Sequence, residues 1–153
     1  MANTCAICGA TINVLQSQKL MDGNYICTKG CRAKGLKYYD YVHSDLDNVK
    51  DHIHQTEVGT KVWQDLMEPL KKTRDKNQKM QSFHPIYIAP SLGLIAVIEA
   101  RGGLFNTKIY ACVYRLENLQ IYRTENMPAR TSGSDKDKKC VHLGFVHTKG
   151  LND

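Results

Sequence analysis

The sequence predicts an α+β chain, and three observations carry the expectation. Four cysteines fall in two close pairs within the first 31 residues, apolar residues recur at i, i+3, i+4 spacing between 46 and 70, and short β-rich runs parted by turn residues begin at residue 84. The expected architecture is a small cysteine-rich head (1–44), a connector of one or two helices (45–83) and a small antiparallel sheet of about five strands (84–153).

The head begins with Cys5-Ala6-Ile7-Cys8-Gly9, a Cys-x2-Cys turn that lets two sulfurs converge while backbone N–H groups stabilise the thiolates. The second pair, Cys27-Thr28-Lys29-Gly30-Cys31, is one residue wider, and Gly30 is expected to supply the extra bend. Eighteen residues separate Cys8 from Cys27, the length of a hairpin carrying one pair to the other. Gly9, Gly23, Gly30 and Gly35 stand where a small metal module needs tight turns. These spacings predict one zinc ion held by Cys5, Cys8, Cys27 and Cys31 in a zinc-ribbon or knuckle-like head. With all four positions filled by protein, no site remains for an activating water, so the metal is expected to be structural. The alternatives are four ordinary reduced cysteines or two disulfides. A redox Cys-x-x-Cys would need a helix start within an α/β pattern, which the surrounding residues lack.

The N-terminus MANTCAICGA has no export-signal pattern, and no apolar run approaches the roughly 18 residues of a membrane span. Cytoplasmic location, in a bacterium or a phage-infected host, and reduced thiols are therefore expected. The formal charge of +6 is spread out. Five cations face two carboxylates in 1–44, seven face seven in 45–85 and nine face six in 86–153. A zinc tetrathiolate carries a net charge of about −2, which lowers the excess further.

In the connector, Ser44 followed by Asp47 suggests a capping box, and Leu46, Val49 and Ile53 a helical stripe. Gly59 is expected to interrupt that helix and Pro69 to bend a second one over Val62, Trp63, Leu66, Met67 and Leu70. Strands are expected at Ile86–Ile88, Leu94–Ile98, Ile109–Tyr114, Leu119–Arg123 and Cys140–His147, with a mobile loop at 127–139.

Cys-Ala-Ile-Cys-Gly, followed by Lys19-Leu20-Met21-Asp22-Gly23 and Tyr25-Ile26-Cys27, resembles a family of uncharacterised bacterial and phage proteins. In that family a four-cysteine module precedes a helix and a small pleckstrin-homology-like β domain. The resemblance is specific over residues 5–31 and looser over 84–147, and the wider Cys27 to Cys31 spacing departs from the pattern. It implies a bacterial or phage setting and no assigned activity.

Other residues offer chemistry of their own. Cys112 reads as a core cysteine, although with Cys140, His142 and His147 it could form a second metal site. His43, His52, His54 and His84 read as surface or capping residues, and Trp63 as packing. Tyr38, Tyr39 and Tyr41 could be binding anchors or packing between small domains. The cationic stretch 71–79 reads as a solvated face or a phosphate grip. No paired carboxylate, phosphate loop or nucleophile elbow is present, so no enzyme is expected. The leading expectation is a non-catalytic protein-binding module. By analogy it could be a phage-type inhibitor, an anti-CRISPR that occludes a type II CRISPR nuclease and blocks its nucleic-acid loading. The alternatives are a nucleic-acid-binding zinc protein using Lys29, Arg32, Lys34 and Lys37, or a lipid- or peptide-binding β module.

Overall fold

The computed structural model describes residues 2–103, 105–127 and 138–145, the stretches 120–127 and 138–145 as strand backbone. Among these residues the chain is α+β, with one α-helix and four antiparallel sheets. No helix among them is long and apolar enough to cross a membrane.

The head consists of two hairpins too short to be stable alone. Strand β1 (Asn3–Thr4) pairs with β2 (Thr11–Ile12), and β3 (Ser17–Lys19) pairs with β4 (Tyr25–Cys27). The Ala6 N–H donates to the Tyr25 carbonyl at 2.8 Å and ties the hairpins together. Ile12, Leu20, Ile26 and Tyr41 pack around Cys5 and Cys31, joined by Val49 and Ile53 from the following helix.

Helix α1 (Leu46–Val62) starts at Asp45, whose extended backbone lets its carboxylate accept from the Asn48 N–H at 2.8 Å. The cap is thus one residue beyond the expected Ser44, whose hydroxyl donates to the Asp40 carbonyl instead. Asp22 of the head accepts from the Leu46 N–H at 2.8 Å, placing a second carboxylate on the positive end of the helix.

Gly59 does not interrupt α1; the helix runs through it. Its lack of a side chain serves packing, because a Cβ there would lie 2.8 Å from the Val113 nitrogen and closer still to the Ala111 carbonyl. Beyond Val62 the same helix widens into a π turn (Trp63–Met67) and then tightens into a 3-10 turn (Glu68–Lys72) with Pro69 in its first turn. A proline ring collides with the carbonyl four residues back in a regular α-turn, and the altered winding relieves that collision.

Strands β5 (Gln81–Phe83), β6 (Ile86–Ala89), β7 (Leu94–Arg101) and β8 (Lys108–Arg115) form an antiparallel sheet in that order. Strand β5 was not expected. Strands β9 (Leu119–Met127) and β10 (Lys138–Phe145) pair with each other as a separate ladder. The ends of the loop expected at 127–139 belong to these strands, and its centre, 128–137, lies outside the described residues.

Alternation along β7 and β8 gives the sheet two different faces. Leu94, Ala96, Ile98, Ala111 and Val113 join Trp63 and Met67 in a second core. Glu99, Arg101 and Cys112 fall on the opposite face, which meets the head through the Lys37 N–H donating to Glu99 at 2.7 Å. Helix α1 shields the outer edge of β8, where the Thr60 hydroxyl oxygen accepts the Ala111 N–H at 3.0 Å.

Candidate metal centre

Two turns deliver the cysteines. Cys5 and Cys8 lie in the link from β1 to β2, closed by the Cys5 N–H on the Ala10 carbonyl (2.8 Å) and the Gly9 N–H on the Cys5 carbonyl (2.9 Å). Gly9 takes a left-handed φ of 72°, which a side chain would resist. Cys27 ends β4 and Cys31 precedes the 3-10 turn Arg32–Lys34. Gly30 lies in the turn over 28–31 that brings the pair together, and it adopts no left-handed φ, so what a glycine adds there is space. A Cβ at that position would lie 2.8 Å from the Cys27 sulfur.

The four sulfurs lie within 4.8 Å of one another. Cys5 and Cys31 are 3.8 Å apart, as are Cys8 and Cys27, and all four are free thiols. A tetrahedral ion with metal–sulfur bonds of about 2.3 Å needs sulfur–sulfur edges of about 3.8 Å. The geometry therefore suits one tetrahedral metal ion. Two N–H···S bonds support it, from Cys27 N–H to the Cys5 sulfur at 3.3 Å and from Cys31 N–H to the Cys27 sulfur at 3.1 Å.

Electrostatically the cluster is unbalanced without a cation. Burial works to raise the Cys5 thiol, but N–H donors from Cys8, Cys27 and Ile7 outweigh it and draw the thiol down to about 6. Cys31 is pushed well above the ordinary thiol range by burial and by the neighbouring Cys27, Cys8 and Cys5 sulfurs. The protein alone thus favours a thiolate at Cys5 and a protonated Cys31. Four thiolates together require a divalent ion to offset their repulsion.

Outside the cluster, Cys112 is buried, as a core cysteine should be, with its sulfur 3.2 Å from the Thr56 hydroxyl and 3.9 Å from His52 Nδ1. The side chains of Cys140, His142 and His147 lie outside the described residues. His52 corrects the surface reading. It is 8% exposed, stacks on Tyr39 with ring centroids 3.9 Å apart, and accepts the Leu36 N–H on Nε2 at 2.9 Å. His43, His54 and His84 are exposed. The tyrosines divide: Tyr38 is exposed, whereas Tyr41 is buried and donates to the Arg32 and Leu36 carbonyls. Trp63 is fully buried beneath the Lys71 ammonium, which lies 4.6 Å from the ring centroid.

One further constellation, at Glu99, Arg101 and Lys37, is not among the expected sites. Glu99, 4% exposed, is held by Arg101 through Nε (2.6 Å) and a terminal nitrogen (3.1 Å), and by the Lys37 ammonium at 3.3 Å. Arg101 also donates to the Ala33 and Gly35 carbonyls and stacks on Tyr110 at 4.1 Å, clasping the head to the sheet. A glutamate inside an apolar strand, with an arginine two residues later on the same face, was the available signal.

No protein-family model matches this chain, no curated protein is significantly similar to it, and no solved structure matches it.

Proposed function

We propose that this chain is a non-catalytic protein-binding module whose head is ordered by one structural zinc ion on Cys5, Cys8, Cys27 and Cys31. Zinc is the metal that four thiolates at tetrahedral spacing suit best in a structural site, and four protein ligands leave no position for substrate. The observation that carries the binding role is the apolar surface of the head. Leu15 is 94% exposed and Val14 68%, on a turn between the two cysteine pairs, and Met21, Tyr38 and Val42 are also exposed. A metal-anchored turn presenting large apolar side chains is preorganised for a protein partner, because little ordering entropy remains to be lost on association.

The cations do not favour a polymer of phosphates. Arg32 and Lys37 turn into a cleft, Lys34 borders a different hollow, and Lys29 lines neither, so no single stripe follows a nucleic-acid backbone.

The test is affinity capture on the full chain and on a Val14→Asp/Leu15→Asp variant. Capture of a protein by the parent and its loss in the variant is the expected outcome. Retention of nucleic acid alone, released steeply by salt, overturns the reading. A nuclease-occluding inhibitor is one such binder, and adding the chain to a type II CRISPR nuclease in a cleavage assay tests that narrower form.

A further inference from the structure

We propose that the cleft between head and sheet is a binding site for a small soluble phosphomonoester. The cleft has a volume of about 350 Å³ and is lined by Thr28, Arg32, Ala33, Lys37, Tyr41 and Arg101. Its three cations are accompanied by one carboxylate, Glu99, bonded to both Lys37 and Arg101. Two positive charges are left over, and a phosphomonoester carries about −1.5 to −2 at neutral pH. A carboxylate ligand, or a diester within a polymer, brings one negative charge and matches this surplus less well.

The neighbouring cysteine cage does not cancel the surplus. A zinc tetrathiolate carries about −2, and Lys29 and Lys34, exposed and within three residues of Cys27 or Cys31 in the chain, add two cations outside the cleft.

The cations have distinct roles. Arg101 is occupied by Glu99 and by the Ala33 and Gly35 carbonyls, so it fixes the floor and contributes its field. Arg32 makes no ion pair among the described residues, and its guanidinium carbon lies 5.2 Å from the Tyr41 ring centroid. With no carboxylate on it, the Arg32 guanidinium keeps N–H groups for an oxyanion, and its planar fork matches phosphate. The Lys37 ammonium uses one contact on Glu99 at 3.3 Å and keeps further protons for a ligand. Thr28 adds a hydroxyl. The volume exceeds what inorganic phosphate needs, and Ala33 and Tyr41 supply apolar wall for an organic group.

The experiment is an amide NMR titration of the full, metal-loaded chain with inorganic phosphate, glycerol 3-phosphate and a nucleoside 5′-monophosphate, with chloride at matched ionic strength as control. Saturable shifts at Thr28, Ala33 and Lys37 are expected, at least one ester binding more tightly than inorganic phosphate. Arg32→Gln and Lys37→Gln should each weaken the ester by about tenfold, whereas Lys72→Gln/Lys76→Gln, exposed and outside the cleft, should change it by less than about twofold. Circular dichroism and metal content establish that each variant keeps its head. Shifts that only track chloride, binding of phosphate but neither ester, or undiminished binding by both Arg32→Gln and Lys37→Gln would overturn the proposal. So would an equal loss in the Lys72/Lys76 variant.

Discussion

His52 stands where head, helix and sheet meet, and its hydrogen bonds fix its protonation. Because Nε2 accepts from the Leu36 N–H, the neutral ring carries its proton on Nδ1, facing the Cys112 sulfur. The Thr56 hydroxyl donates to the His52 carbonyl at 2.8 Å, leaving its oxygen to accept from the Cys112 thiol. Burial lowers the His52 pKa from 6.5 to about 4. Since the folded value lies below the unfolded one, the unfolded chain takes up the proton first. The stabilising contribution is complete above about pH 6.5 and is lost as pH falls towards 4, by about 3 kcal/mol in all. Urea midpoints at pH 7 and pH 5 should therefore converge more closely in His52→Gln than in the parent. Acid protonation of the thiols is common to both proteins and cancels in the comparison. An equally steep decline in the variant would show that His52 does not titrate with folding.

The Glu99–Arg101 clasp supports a second substitution test. Burial raises the Glu99 pKa, but the Arg101 bonds and the Lys37 N–H outweigh it, so the carboxyl lies below its usual value and the pair is ionised. Removing Arg101 leaves the buried Glu99 carboxylate with Lys37 as its remaining partner. Arg101→Met should cost about 2 to 3 kcal/mol, since Lys37 still faces Glu99, and Arg101→Lys should recover little, because an ammonium cannot serve Glu99 and two carbonyls together. Denaturant unfolding reads both effects; a loss under about 1 kcal/mol for Arg101→Met would mark the clasp as no stronger than a surface pair.

For helix α1, propensity and packing make opposite forecasts at Gly59. Replacing an internal helical glycine by alanine ordinarily stabilises by about 1 kcal/mol, yet here the added methyl meets the backbone of β8. Gly59→Ala should therefore lower the melting temperature, and an increase would mean that the helix lifts off the strand without penalty. Asp45→Ala, by contrast, should cost only about 1 kcal/mol through the lost cap.

The helix also shows why some features were legible and others not. Its buried positions are Val49, His52, Ile53, Thr56 and Gly59, so two polar residues and a glycine interrupt the apolar stripe by which a buried face is read. Leu46, Val49 and Ile53 carried enough periodicity to place the helix, but not to assign His52 to the interior. Strands β6 to β8 are runs of β-branched, aromatic and other apolar residues parted by turn residues, which places them from sequence. Strand β5 consists of exposed residues and offers no pattern. The division of the strands between a four-stranded sheet and the β9–β10 ladder depends on distant pairing, which local spacing does not encode.

Across the whole chain, the cysteine cluster was legible because its ligands are local pairs with characteristic spacing, whereas the docking of head on sheet depends on contacts more than sixty residues apart. The two cores are joined through α1, which contributes Val49 and Ile53 to one and leads into Trp63 and Met67 in the other. The head's hairpins have only two or three residues per strand, so a metal on the four cysteines would supply much of their order. Metal uptake by the cluster would release protons, since burial and the neighbouring sulfurs favour the protonated form of Cys31. Affinity should consequently rise with pH, and a metal-binding constant independent of pH between 6 and 8 would speak against a tetrathiolate.

Elemental analysis of the full chain purified without chelator, paired with a melting curve before and after chelation, bears on all of this. One zinc per chain, with the head's tertiary signals lost on chelation, is the predicted result. Protein free of stoichiometric metal, with four titratable thiols and an unchanged melting curve, would contradict it.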